Sequence, residues 1–158
     1  MTNRKYIQKN HRIPSAIVRL LQPFYSFDVS RVPLIPSSLL IRFDFRSNGK
    51  AIYISSRRLR NISTAALIGG LAHELEHVRQ RRELGAEWYM RIAMDTARSI
   101  IQEHRLYSHD LSLNEQEAMQ KEWEVWSSVE KSYQTWKNLL DEECEESEGG
   151  GEKGGRPA

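Results

Sequence analysis

Between residues 63 and 84, apolar side chains recur at the spacing of one helical face. At about 100° per residue, Leu67, Ile68, Leu71, Leu75 and Val78 fall on one side. The pattern predicts a helix that starts near Ser63 and ends at about Leu84, where Gly85 can close it. His73, His77, Ala66 and Gly70 fall on a different side, where the small residues leave room above the histidines. A glycine inside a helix costs about 1 kcal/mol relative to alanine. Gly69 and Gly70 incur that cost twice, and either the close approach of a ligand or tight packing against a neighbouring element accounts for it.

Upstream, Ile41, Phe43 and Phe45 alternate with Arg42, Asp44 and Arg46, the period of a half-buried strand. Asn48 and Gly49 form a hairpin-turn dipeptide, and "AIYIS" at 51–55 supplies the returning strand. A small antiparallel sheet is therefore expected before the long helix, and a short helix from Ile13 to Leu21, followed by Pro23, before that sheet. Downstream, "AEWYMRIAMDTARSIIQEHRL" predicts a second helix that buries Ile92, Ala93, Ala97, Ile100 and Ile101. A third is expected from Leu113 to Leu140, where Met119, Trp123, Trp126, Val129, Tyr133, Trp136 and Leu140 recur at spacings of three and four. Such an aromatic stripe reads as core or as a helix-helix seam. The fold class is α+β. Residues 1–37 form a basic N-terminal segment, 38–140 the main domain, and 141–158 an acidic, glycine-rich tail expected to be disordered.

A chain of 158 residues is the size of one domain and can bury a core without a disulfide or structural metal. The one cysteine, Cys144, excludes an internal disulfide framework and fits a reducing compartment. Acidic neighbours disfavour its thiolate, so it is not read as a nucleophile. No segment has the apolar run of a signal peptide or the roughly 18 apolar residues of a membrane span, so a soluble, cytoplasmic protein is expected. The net charge of +2 hides an asymmetry: the tail from residue 141 holds seven acids and two bases, which leaves residues 1–140 at +7. That body would suit an acidic partner. Without a helix-turn-helix, zinc-finger or RNA-binding signature, nucleic-acid binding rests on charge alone and ranks last.

The candidate chemistry lies in "HELEH", residues 73–77, which has the HExxH pattern. Residues i and i+4 stand one above the other on a helix, so His73 and His77 can reach a single ion. Glu74, turned by about 100° from His73, can reach a water on that ion without being a ligand. Zinc would bring the pKa of such a water towards about 7, and Glu74 could take its proton and later deliver it to a leaving amine.

A catalytic zinc site ordinarily has three protein ligands and an open position. Glu115 and Glu117, in "SLNEQEA", are the candidates for the third, with His104 and His109 as weaker substitutes. Glu115 has a competing role, because Ser112 and Glu115 also have the spacing of a capping box.

The stretch from about residue 38 to 125 resembles the gluzincins, zincin metallopeptidases whose third ligand is a glutamate on a later helix. "HELEHVRQ" has the HELxHVxQ form seen in minimal zincin-like domains of bacteria and their phages, and "NEQEA" resembles the family's second, glutamate-bearing element. The resemblance implies a minimal zincin-like fold, zinc as the cofactor and a peptide or protein as the substrate. It implies His73, His77 and Glu115 as zinc ligands, Glu74 as catalytic base and Ala118 as the small residue packed on the motif helix. The strand that receives the substrate would be "AIYIS". One departure is that Met119 stands where the family has an aspartate supporting a ligand histidine, so another group must orient that imidazole. Tyr107, His104 and His109 are candidates to stabilise the oxyanion. The leading expectation is a zinc peptidase. The alternative is a non-catalytic zinc-binding module of the same fold.

Overall fold

The computed structural model describes residues 3–40, 44–103, 113–130 and 138. Helices α1 (Asn3–Asn10) and α2 (Ser15–Leu21) open the chain. Strands β1 (Leu34–Ser37), β2 (Phe45–Ser47) and β3 (Ile52–Ser55) follow, and then α3 (Thr64–Leu84), α4 (Glu87–Glu103) and α5 (Leu113–Val129). This is a mixed α+β architecture, and no helix among the described residues is long and apolar enough to cross a membrane.

The expected hairpin forms: β2 and β3 pair antiparallel with Phe45 opposite Ile54 and Ser47 opposite Ile52. Its turn is held by Asn48, whose Oδ1 accepts from the backbone N–H groups of Lys50 and Ala51, both at 2.9 Å. The sheet as a whole, however, is mixed. β1 adds parallel to β3, with Leu34 opposite Ile52, giving the order β1-β3-β2. Pro36 is tolerated in β1 because that strand lies at an edge, where a missing N–H leaves no gap in the ladder. The strand expected to receive a substrate, "AIYIS", is β3, and it lies in the centre with both sides paired. That expectation is corrected: the edge strands are β1, whose Leu34 N–H donates outward to the His11 backbone oxygen, and β2.

The first 37 residues share one core with the rest of the chain. Ile7, Ile17, Leu20 and Leu21 cluster with Leu34, Ile52 and Ile54 of the sheet and with Leu67, Leu71, Leu75 and Val78 of α3. All five residues of the α3 apolar stripe are buried. The ends of α3 also follow the local signals. Ser63 caps its start by accepting from the Ala66 N–H at 3.2 Å, and Gly85 closes it at φ 58°.

Two expected packing faces are corrected. On α4, only Trp88 is buried among the described side chains, whereas Ile92 is half-buried and Ala93 and Ala97 are exposed. Ile100 and Ile101 lie outside the described side chains. On α5, the buried set is Asn114, Glu115, Ala118, Val125 and Val129, while Met119 and Trp123 are 54% and 70% exposed. Trp126 packs partly against the core, and the rest of the predicted stripe, Tyr133, Trp136 and Leu140, lies outside the described residues. Residues one position apart on a helix point about 100° apart. The mean direction of the buried set Asn114, Glu115, Ala118, Val125 and Val129 lies roughly 95° from Met119 and roughly 135° from Trp123, so α5 takes the setting that buries its carboxylate and its small residue and leaves those two outward.

Candidate metal centre

The double glycine of α3 accounts for the way its neighbours approach. A Cβ on Gly70 would stand 2.4 Å from the Phe45 ring of β2, and one on Gly69 would stand 2.9 Å from Oε1 of Glu122 on α5. The room beside Gly70 is thus taken by the Phe45 ring, whereas Gly69 lines an apolar pocket together with Ala65, Met119, Glu122, Trp123 and Trp126. Phe45 brings β2 onto one side of α3, and Glu122 brings α5 onto the other.

Above these contacts, His73 and His77 stand with ring centroids 5.0 Å apart and planes at 82°. Glu115, from the first turn of α5, turns one carboxylate oxygen to each. Its Oε2 is 3.2 Å from His73 Nε2, and its Oε1 is 3.5 Å from His77 Nε2. One ligating atom from each of the three residues lies within 4.8 Å of the others. Ligand atoms about 2.0–2.2 Å from a tetrahedral zinc stand roughly 3.3–3.5 Å from one another. The donor set of two imidazole nitrogens and a carboxylate, at these separations, fits such an ion. Glu117 is not in the group. Its carboxylate lies 3.1 Å from Gln80 Nε2 and 3.7 Å from Arg79, which also pairs with Glu76 and Glu83. His104, Tyr107, His109 and Ser112, the partner in the capping-box reading of Glu115, lie outside the described residues.

Glu74 is 6% exposed and leaves its Oε2 buried without a hydrogen-bond partner among the described residues. Burial raises its pKa; the charges of His77 and His73 oppose this, Glu115 reinforces it, and a hydrogen bond from the Ser47 backbone N–H opposes it. That N–H belongs to the outer side of β2. Asp44 and Asn48 bond inward to β3, and alternate residues of an antiparallel strand face opposite ways, so Phe45 and Ser47 present their backbone groups outward. The Glu74 carboxylate therefore lies beside the histidine pair and against the outer edge of β2.

The neighbouring carboxylates hold protons on the imidazoles. Burial disfavours a charged His73, but hydrogen bonds to Glu115 and Glu122 outweigh it and push its pKa up to about 10. His77 is raised in the same sense, with burial opposing and Glu115 prevailing.

Two neighbours of the histidines were not anticipated. Glu122 Oε2 lies 3.5 Å from His73 Nδ1, and Gln80 Oε1 lies 3.0 Å from His77 Nδ1. The sequence carried a signal for both: Gln80 follows His77 by three residues on one helix, and Glu122 follows Glu115 by two helical turns. Met119, at the position where a supporting aspartate was sought, faces outward, and Glu122 approaches His73 from the next turn.

No family model, curated protein or solved structure matches this chain.

Proposed function

We propose that the chain is a zinc-dependent peptidase of the gluzincin type, with His73, His77 and Glu115 as metal ligands and Glu74 as general base. The observation that carries the reading is the convergence of His73 Nε2, His77 Nε2 and both Glu115 oxygens beside the unpartnered Oε2 of Glu74. When bound, zinc supplies a Lewis acid that brings the pKa of a water towards about 7. Glu74 accepts a proton at Oε2 and returns it to the leaving amine. Burial works toward that role by raising the carboxyl's pKa, against the charges of His77 and His73 and against the charge that a bound cation would add. An extended peptide docks by strand addition along the outer edge of β2, where the backbone groups of Phe45 face away from β3. Peptide as the substrate class rests on the gluzincin resemblance of "HELEHVRQ" and "NEQEA".

A zinc-binding module without turnover is the second reading. The observation favouring it is restricted access, since the side chains of His73, His77 and Glu115 are only 20%, 11% and 7% exposed.

Metal content by mass spectrometry tests the site. About one zinc per chain is expected in the wild type and in Glu117→Ala, and none in His77→Ala or Glu115→Ala, each checked for folding. A folded wild type that stays empty when zinc is supplied would end the metal reading. Cleavage of an unstructured protein by the zinc-loaded wild type but not by Glu74→Gln separates the peptidase from the inert module.

A further inference from the structure

We propose that Gln80 is a positioning residue for this site: one buried amide fixes the hydrogen of His77 on Nδ1 and ties the start of α5, which carries Glu115, to α3. The inference about positioning rests on the metal reading above, but the hydrogen placement on which it depends does not.

Gln80 is 1% exposed, so its amide must find partners within the protein. Its Nε2 lies 2.9 Å from the backbone oxygen of Asn114 and 3.1 Å from Glu117 Oε2. A peptide carbonyl can only accept, so the NH2 end of the amide has to face α5. The reverse orientation would set two carbonyl oxygens against each other at that separation. With Nε2 committed, Oε1 is the atom that meets His77 Nδ1 at 3.0 Å. An amide oxygen can only accept as well, so Nδ1 carries the hydrogen. In the neutral ring Nε2 then holds the lone pair, and Nε2 is the atom that faces Glu115 Oε1. Two acceptors on α5 thus dictate, through Gln80, which nitrogen of His77 is available to a metal.

The second half of the role is spatial. Asn114 precedes Glu115, so the bond from Gln80 holds the peptide next to the third ligand. Both elements of the cluster are fastened by one side chain that does not itself reach the ligand atoms. His73 is served differently, by the carboxylate of Glu122 at 3.5 Å, which is 45% exposed. Gln80 is the shorter and more deeply buried support, and groups that orient a ligand imidazole in this way typically account for about 10- to 100-fold of metal affinity.

The test uses the full chain with 15N-labelled histidine, with and without zinc, and His77→Ala to assign the signals. Long-range 1H–15N correlation should find His77 Nδ1 protonated in both states. Gln80→Leu, which removes all three bonds, should lose that protected Nδ1–H and weaken zinc binding about 10- to 100-fold. Gln80→Glu keeps an acceptor for Nδ1 and loses the donor to Asn114, so it should retain the Nδ1–H while recovering only part of the affinity. Two results would overturn the proposal: a wild-type His77 with bare Nδ1 and a hydrogen on Nε2, or a folded Gln80→Leu with unchanged tautomer and affinity. A wild type that shows the Nδ1–H but binds no zinc would instead remove the metal reading, and with it the positioning role.

Discussion

On one face of α3, Leu67, Leu71, Leu75 and Val78 are fully buried against the sheet and the N-terminal helices. On another, Glu74 and His77 are nearly as buried, beneath β2 and α5, but among polar groups. Burial of each leucine contributes roughly 1.5–3 kcal/mol to folding. Burial of a carboxylate and two imidazoles costs free energy that pairing only partly offsets. The first face would be chosen by any sequence that needed to fold. The second makes stability harder to achieve, and its groups are the ones assigned to the proposed metal site.

That contrast can be broken from either side. The largest effect expected of the proposed peptidase is chemical: Glu74→Gln should lower its peptide cleavage by about 10²- to 10⁴-fold, the usual contribution of a positioned general base. Zinc content and the thermal midpoint should change little, and a variant that still cleaves would remove Glu74 from the mechanism. Next is Leu71→Ala on the apolar face, which should cost about 2–5 kcal/mol in denaturant unfolding because α3 and the sheet cannot collapse around the cavity. A loss below about 1 kcal/mol would mean that this face is not the core.

Zinc affinity should rise with pH, by about tenfold per unit for each proton displaced. The sign follows from His73. Burial opposes its charge, but Glu115 and Glu122 hold the imidazolium up to about 10, so throughout the neutral range zinc must expel a proton to bind. Chelator competition between about pH 6 and pH 8 measures the slope, and a flat profile would mean that His73 is already neutral. The smallest effect belongs to Trp123→Ala, expected within about ±0.5 kcal/mol in the same unfolding assay, because that side chain is exposed on α5.

Not every part of the molecule was equally legible. The limits of α3, its capping by Ser63, its stop at Gly85 and its apolar stripe are local properties, and they follow from residues within one or two turns of each other. The hairpin turn at Asn48 and Gly49 is local in the same sense. The partner of the hairpin is not visible in the sequence: β1 is separated from β3 by β2 and the turn and contains Pro36, and a parallel pairing leaves no mark in the intervening sequence. The α5 stripe misled because Met119 and Trp123 have helical spacing whichever way the helix is turned.

His73 and His77 were fixed as a pair by the sequence, since a spacing of four on a helix sets them one above the other whatever surrounds them. The choice between Glu115 and Glu117 could not be made that way. It required the rotation and approach of α5, which depend on Ala118 being small, on Gly69 admitting Glu122, and on Gln80 holding the Asn114 carbonyl. The role of Glu74 was divided in the same manner. Its place beside the histidines is helical geometry, whereas its burial, its raised pKa and its neighbour Ser47 come from a strand 27 residues earlier folding across the helix. Short-range periodicity determines which side chains share a face. Only the packing of distant segments determines which faces meet, and with them which carboxylate reaches the histidines.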